Sequence, residues 1–174
     1  MIKDKFDWLK TIWKKPDKYA DLKKFPVLSE LSSFELYLLN NFLHQRKFNK
    51  GELLYDKDHP LEVIYFIFSG EVEVTGPTYP KGRYVVRELQ ILGLIDMFKE
   101  ETRSSSATAL TEVTAYAVSR YDLSDLFRQN PNLGVKMLTA FCQTLSNYIF
   151  NISGYLLINC VFSAILHGRF TKYK

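Results

Sequence analysis

Between Gly51 and Ser119 the chain is a succession of short β-forming runs closed by turn signals, and this texture limits the fold more than any other feature. Val63-Ile64-Tyr65-Phe66-Ile67-Phe68 is rich in β-branched and aromatic residues and short enough for a buried strand. Ser69-Gly70 punctuates it, and Glu71-Val72-Glu73-Val74 then alternates with period two, as a half-exposed strand does. Gly76, Pro77, Pro80 and Gly82 mark a loop before a strand at Tyr84-Val85-Val86-Arg87-Glu88-Leu89. Two more strands fit residues 105–110 and 113–118, about a tight Thr111-Glu112 turn. Many short strands at this spacing predict a sandwich or a barrel rather than βαβ units.

Helices flank this β region. Ser32-Ser33-Phe34-Glu35 reads as a capping box opening a helix with Phe34, Leu38, Leu39, Phe42 and Leu43 on one apolar face. Ser119-Arg120-Tyr121-Asp122 opens a short helix through Phe127. Asn130-Pro131 starts the last one, with Pro at the first helical position, where its missing donor costs nothing.

That last helix has the strongest periodicity in the chain. Leu138, Cys142, Leu145, Ile149, Ile152, Leu156 and Asn159 step by four and three alternately, an a/d heptad seam. Phe141, Tyr148, Tyr155 and Phe162 repeat every seven residues on a second stripe. One stripe can pack on the chain's own body while the other meets a second copy, and Asn159 is the kind of polar seam position that fixes register. Gly154 is a weak point where the helix can bend. No charged residue lies between Lys136 and Arg169, a length that could span a membrane. The interspersed Asn147, Asn151, Ser153, Asn159 and Ser163 and the sharp heptad favour a dimerisation helix.

Charge is concentrated at one end. Residues 1–24 hold eight Lys and four Asp, which accounts for the whole net charge of +4. The rest of the chain is neutral, so a uniformly basic nucleic-acid-binding surface is not expected. Ile2, Phe6, Leu9 and Trp13 fall at helical spacing among these lysines, and Pro16 ends that pattern. Such a basic amphipathic arm packs on its own domain or lies on an anionic surface; membrane contact is the less favoured reading. Charges near the start lead us to expect no secretory signal peptide, and two Cys exclude a disulfide scaffold or four-cysteine metal site. A reducing, cytoplasmic setting is expected. Cys142 and Cys160 would lie about 27 Å apart along one helix, too far to bridge within the chain.

The order helix, short strands, short helix, long helix resembles the cyclic-nucleotide-binding domain of the catabolite activator (Crp-Fnr) type. The residues that carry the likeness are Lys50-Gly51-Glu52-Leu53-Leu54-Tyr55, then Ile64 to Val72 with Ser69-Gly70, then Gly93 and the run Arg103-Ser104-Ser105-Ser106-Ala107. The likeness covers roughly residues 25–150. It implies a mainly β fold with flanking α: a double-stranded β-helix (jelly-roll) barrel with N-terminal helices and a long C-terminal dimerisation helix. The parts are then an arm over 1–24, a helix plus barrel with a short helix over 25–129, and the long helix with a basic tail over 130–174.

The resemblance also implies a site. A cyclic phosphate needs a buried cation and oriented N–H donors. In the family a glycine starts a short helix and an arginine follows ten residues later, the spacing of Gly93 and Arg103 here. Ser104 and Ser105 stand where the family offers a hydroxyl and a backbone N–H. The ligand implied is small and anionic, cyclic AMP or cyclic GMP, with no other cofactor and no metal; His44, His59 and His167 form no convincing ligand pair. Two departures stand out. Leu94 takes the place of the acidic residue that accepts from the ribose 2′-hydroxyl, a loss worth about 1–3 kcal/mol. Lys57-Asp58 replaces the glycine expected in the turn after Tyr55; Asp96 lies two residues beyond Leu94, and Glu100 and Glu101 add negative charge to the segment.

No nucleophile elbow, Walker loop, dinucleotide fingerprint or HExxH is present, so a non-enzymatic regulatory module is expected. About twenty residues follow Gly154, too few for a helix-turn-helix, so direct DNA binding by this chain is not expected. The alternatives are a degenerate member acting as a dimeric scaffold or partner-binding module without nucleotide, and a Crp-Fnr-type regulator lacking its DNA-binding domain.

Overall fold

The computed structural model describes residues 19–76, 82–98 and 102–166, with side chains through Asn151. The arm from Ile2 to Trp13, Glu100, Glu101, the basic tail and the side chains of Ile152, Leu156, Asn159 and Cys160 lie outside the described residues. The chain opens with α1 (Ala20–Lys23), a 3-10 turn (Pro26–Leu28) and α2 (Ser33–Asn40). Eight strands follow: β1 (His44–Phe48), β2 (Leu53–Tyr55), β3 (Val63–Ser69), β4 (Val72–Thr75), β5 (Arg83–Val86), β6 (Ile91–Leu92), β7 (Ser106–Ala109) and β8 (Val113–Ser119). The four-residue α3 (Leu94–Met97) interrupts them after β6, and α4 (Arg120–Gln129) and α5 (Pro131–Leu166) close the chain.

The strands form two antiparallel four-stranded sheets, ordered β1-β8-β3-β6 and β2-β7-β4-β5, the interleaving of a jelly roll. Period-two alternation gives each strand two different faces, and these strands use both. Ile67, Leu92, Val113 and Ala115 from the first sheet meet Leu54, Val72, Val74 and Ala107 from the second inside the barrel. The opposite face of the first sheet, with Ile64, Phe66, Ile91 and Val118, packs against the helices. Phe25 meets Phe66 there edge-on, with centroids 5.6 Å apart. At the β3–β4 turn a Cβ on Gly70 would sit 2.3 Å from the Glu112 carbonyl, so only glycine lets the two turns touch.

Both N-terminal helix signals hold. The Ser32 hydroxyl accepts the Glu35 amide while the Glu35 carboxylate accepts the Ser32 amide. The Ser119 hydroxyl accepts the Asp122 amide at 2.9 Å and α4 runs two residues past Phe127. The face expected for α2 is corrected. Leu36 and Leu39 are buried, whereas Phe34 is 67% exposed and Phe42 and Leu43 lie beyond the helix end. Periodicity identified the helix, but the neighbouring 3-10 turn and α5 chose which side faces inward.

At about 1.5 Å per residue, the 36 residues of α5 extend roughly 54 Å. Leu133, Met137 and Phe141 are buried against the body. Of the seam positions, Leu138, Cys142 and Ile149 face outward, and Leu145 is half-buried against the core. Among the described residues no helix is long and apolar enough to cross a membrane.

Candidate functional site

Gly93 ends β6 and caps α3 with φ +89°, a left-handed backbone. A Cβ at this position would lie 2.6 Å from Arg103 Nη1, so the missing side chain makes room for the guanidinium. The backbone of Arg103 is clamped on both sides of the turn after β2. Its N–H donates to the His59 carbonyl at 2.8 Å, and its carbonyl accepts the Asp58 amide at 2.9 Å. Asp58 itself takes φ +65°, so an aspartate fills the left-handed position where the likeness led us to expect glycine. Asp tolerates that backbone better than most residues.

Arg103 is 3% exposed. Nη2 donates to the Val63 carbonyl at the start of β3, and the guanidinium lies over the Tyr55 ring, 3.9 Å from its centroid. Among the described residues Nε and Nη1 have no hydrogen-bond partner, and neither does the hydroxyl of Ser105, a residue that is 1% exposed. Each such buried group costs about 1–3 kcal/mol when left dry, and more when charged. Burial pulls the Arg103 pKa down; the fields of Tyr55, Tyr65 and Asp96 oppose this. Arginine nevertheless remains cationic.

The expected cassette comes together only in part. Gly93 and the Arg103 guanidinium abut, while Ser105 is buried beside Gly76. Ser104 turns aside, its hydroxyl donating to Asp96 Oδ1 at 2.6 Å. Leu94 is buried among the helix-facing core residues with Met137 and Phe141. Asp96 is 3% exposed and is the negative group whose field reaches Arg103, yet no ion pair joins the two. Sequence reading passed over Tyr55 as a pocket residue, because nothing in a three-residue strand marks which face an aromatic takes. Among the described residues no group of His, Cys, Asp and Glu is placed to hold a metal ion.

The described jelly roll thus carries a buried arginine beside the glycine that caps α3. Residues 45–130 match the family model of the cyclic nucleotide-binding domain, and the chain has that domain's fold. Over 104 residues the chain is 32% identical to the CRP-like cAMP-activated global transcriptional regulator of Mycobacterium tuberculosis, covering 56% of this chain and 45% of that one. The fold matches a cyclic nucleotide-binding domain from Methylobacillus flagellatus with TM-score 0.72 and 23% identity, over 82% of this chain and 85% of that one. It also matches a regulatory subunit of a cAMP-independent protein kinase A from Trypanosoma cruzi bound to guanosine, with TM-score 0.55 and 22% identity, over 62% and 39%. The chain spans less than half the length of the curated relatives it matches.

Proposed function

We propose that this protein is a non-enzymatic ligand-sensing regulatory module that holds a small anion, a cyclic nucleotide in the first instance, between Arg103, Ser105 and the amides that follow Gly93. The observation that carries the reading is the set of unpartnered buried donors: Arg103 Nε and Nη1 and the Ser105 hydroxyl. An anionic guest would satisfy all three, and a charge-assisted bond is about twice as strong as a neutral one. With Leu94 turned into the helical core, the ribose 2′-hydroxyl loses the acceptor the family provides. Nucleotide affinity is therefore reduced by about tenfold to a hundredfold.

The readout runs through α3. Leu94 and Met97 share one core cluster with Met137 and Phe141 of α5, and the Phe98 ring lies 6.4 Å from that of Phe141. A ligand that draws the amides after Gly93 toward itself moves α3, and α3 cannot move without repacking α5. The outward stripe of Leu138, Cys142 and Ile149 then carries the change to a second copy in a homodimer. Calorimetric titration with cyclic AMP and cyclic GMP to millimolar concentration, in the parent and in Arg103→Leu, tests the reading. Heat in the parent and none in the variant supports it, whereas silence in both overturns it.

A second reading, a dimeric scaffold without nucleotide, is favoured by the Ser104–Asp96 bond, which takes one hydroxyl and leaves a carboxylate beside the anion position. Sedimentation separates the two readings when combined with titration, since a scaffold dimerises and stays silent to ligand.

A further inference from the structure

Strand β1 ends the first sheet and is paired on one side only, to β8. Its five residues run in unbroken register from His44↔Ala117 to Phe48↔Val113. Every second residue therefore turns its N–H and C=O away from β8. Among the described residues these outward groups meet no backbone or side-chain partner. His44, Gln45, Arg46 and Lys47 are exposed, and Phe48 is half-buried, its ring centroid 6.0 Å from that of Tyr65. The other sheet ends are blunted. Strand β6 is two residues long, and β2 has three with a register shift. The pairs Arg83–Glu73 and Arg87–Glu71 neutralise the cations in and beside β5.

Charge sets β1 apart. Arg46 and Lys47 on the strand, and Lys50 two residues past its end, are exposed and join no ion pair among the described residues. Arg46 lies in the row of Ala115 and Ile67, on the barrel face it shares with Tyr65; Lys47 pairs with Thr114 on the opposite face. The residues of β8 opposite β1, from Val113 to Ala117, include no acid. Such an edge repels a second copy of itself and attracts an acidic strand, so the charge that prevents self-pairing also selects a partner. A phosphate polymer or an anionic lipid surface would meet the cations but bring no donors to the outward carbonyls. An extended peptide supplies donors and acceptors at the spacing of the edge.

We infer that β1 is a docking edge for an extended acidic segment of a partner protein, which adds a strand to the first sheet. The segment needs about five residues, the roughly 17 Å that β1 spans. Adjacent acidic residues in it take opposite faces, one meeting Arg46 and the next Lys47, and a third carboxylate further along reaches Lys50. No ligand on Arg103 enters this inference, so its failure leaves the proposed function untouched.

The probe is a fluorescein-labelled octapeptide of four glutamates between valine-threonine flanks. It is titrated by fluorescence anisotropy into the parent, Arg46→Glu, Lys47→Glu and Arg46→Lys. The parent should bind it, and each charge reversal should weaken binding about tenfold, with a smaller effect at high salt. Arg46→Lys should retain the parent's affinity within about threefold, since it keeps the charge. Amide hydrogen exchange of the parent should slow at alternate residues between 44 and 48 when the peptide is bound. Binding without that protection overturns the inference, as does binding that survives both reversals or a parent that ignores the peptide. Tighter binding of single-stranded DNA or phosphatidylserine vesicles through the same cations also overturns it. Should a reversed variant melt early, the exchange pattern of the parent alone decides.

Discussion

The Arg103 guanidinium lies over the Tyr55 ring, 3.9 Å from its centroid, with Nη2 anchored to the Val63 carbonyl and Nε and Nη1 without a partner among the described residues. The stack and the anchor fix where the cation sits without using up its donors. This is preorganisation for a negative partner, maintained against a desolvation penalty.

Arg103→Met should leave folding stability within about 1 kcal/mol of the parent, because lost cation–π and carbonyl contacts are offset by removal of a buried charge with two unpartnered donors. Anion binding should disappear. Urea unfolding read beside titration checks both. A loss above about 3 kcal/mol would mean that the guanidinium holds the fold rather than a guest.

Gly93→Ala should destabilise by about 1–3 kcal/mol, since alanine at φ +89° is strained and its Cβ would press on Arg103 Nη1. Anion affinity should fall with it. Gly51→Ala, with a left-handed backbone and open space around it, isolates the backbone part of that cost.

Asp96→Asn should strengthen binding of a monoanion by about threefold to thirtyfold, as about 0.7–2 kcal/mol of repulsion is relieved. The amide oxygen can still accept from the Ser104 hydroxyl. Unchanged affinity would place the guest away from Asp96.

The hydrogen bond from Lys136, at 2.9 Å, and then that from the Ser32 amide hold the Glu35 carboxyl below its usual 4.5. A depressed carboxylate pKa stabilises the fold above the unfolded value, and the benefit is lost as pH falls through the folded one. Glu35→Gln should therefore cost about 1 kcal/mol at pH 7 and progressively less as pH falls below the usual carboxylate range, measured by urea unfolding across that range.

Ile149→Glu should leave the monomer's stability unchanged, since the residue is 64% exposed, while abolishing concentration-dependent association in sedimentation. Persistent association would move the interface off this stripe.

Much of the architecture was legible because its signals are local. The capping box at Ser32 and Glu35 and the β-rich run from Val63 depend on neighbours within a few residues. The Gly93-to-Arg103 spacing was readable only through the likeness to the family's cassette, and the structure gives Gly93 a left-handed backbone and buries Arg103. Strand β1 was not legible. His44-Gln45-Arg46-Lys47 is exposed and polar throughout, and only pairing with β8 makes it a strand.

The amino-acid order by itself determined the element types and a sandwich or barrel of short strands, since capping, strand propensity and turn chemistry act over short range. The jelly roll and the pairing of Gly93 with Arg103 came from the likeness to a known family. The tertiary structure alone decided that Leu94 faces the helices, that Ser104 spends its hydroxyl on Asp96 and that Arg46 shares a barrel face with Tyr65. Those outcomes depend on which face each element buries. That choice is made by packing between segments distant in sequence, where no local pattern records it.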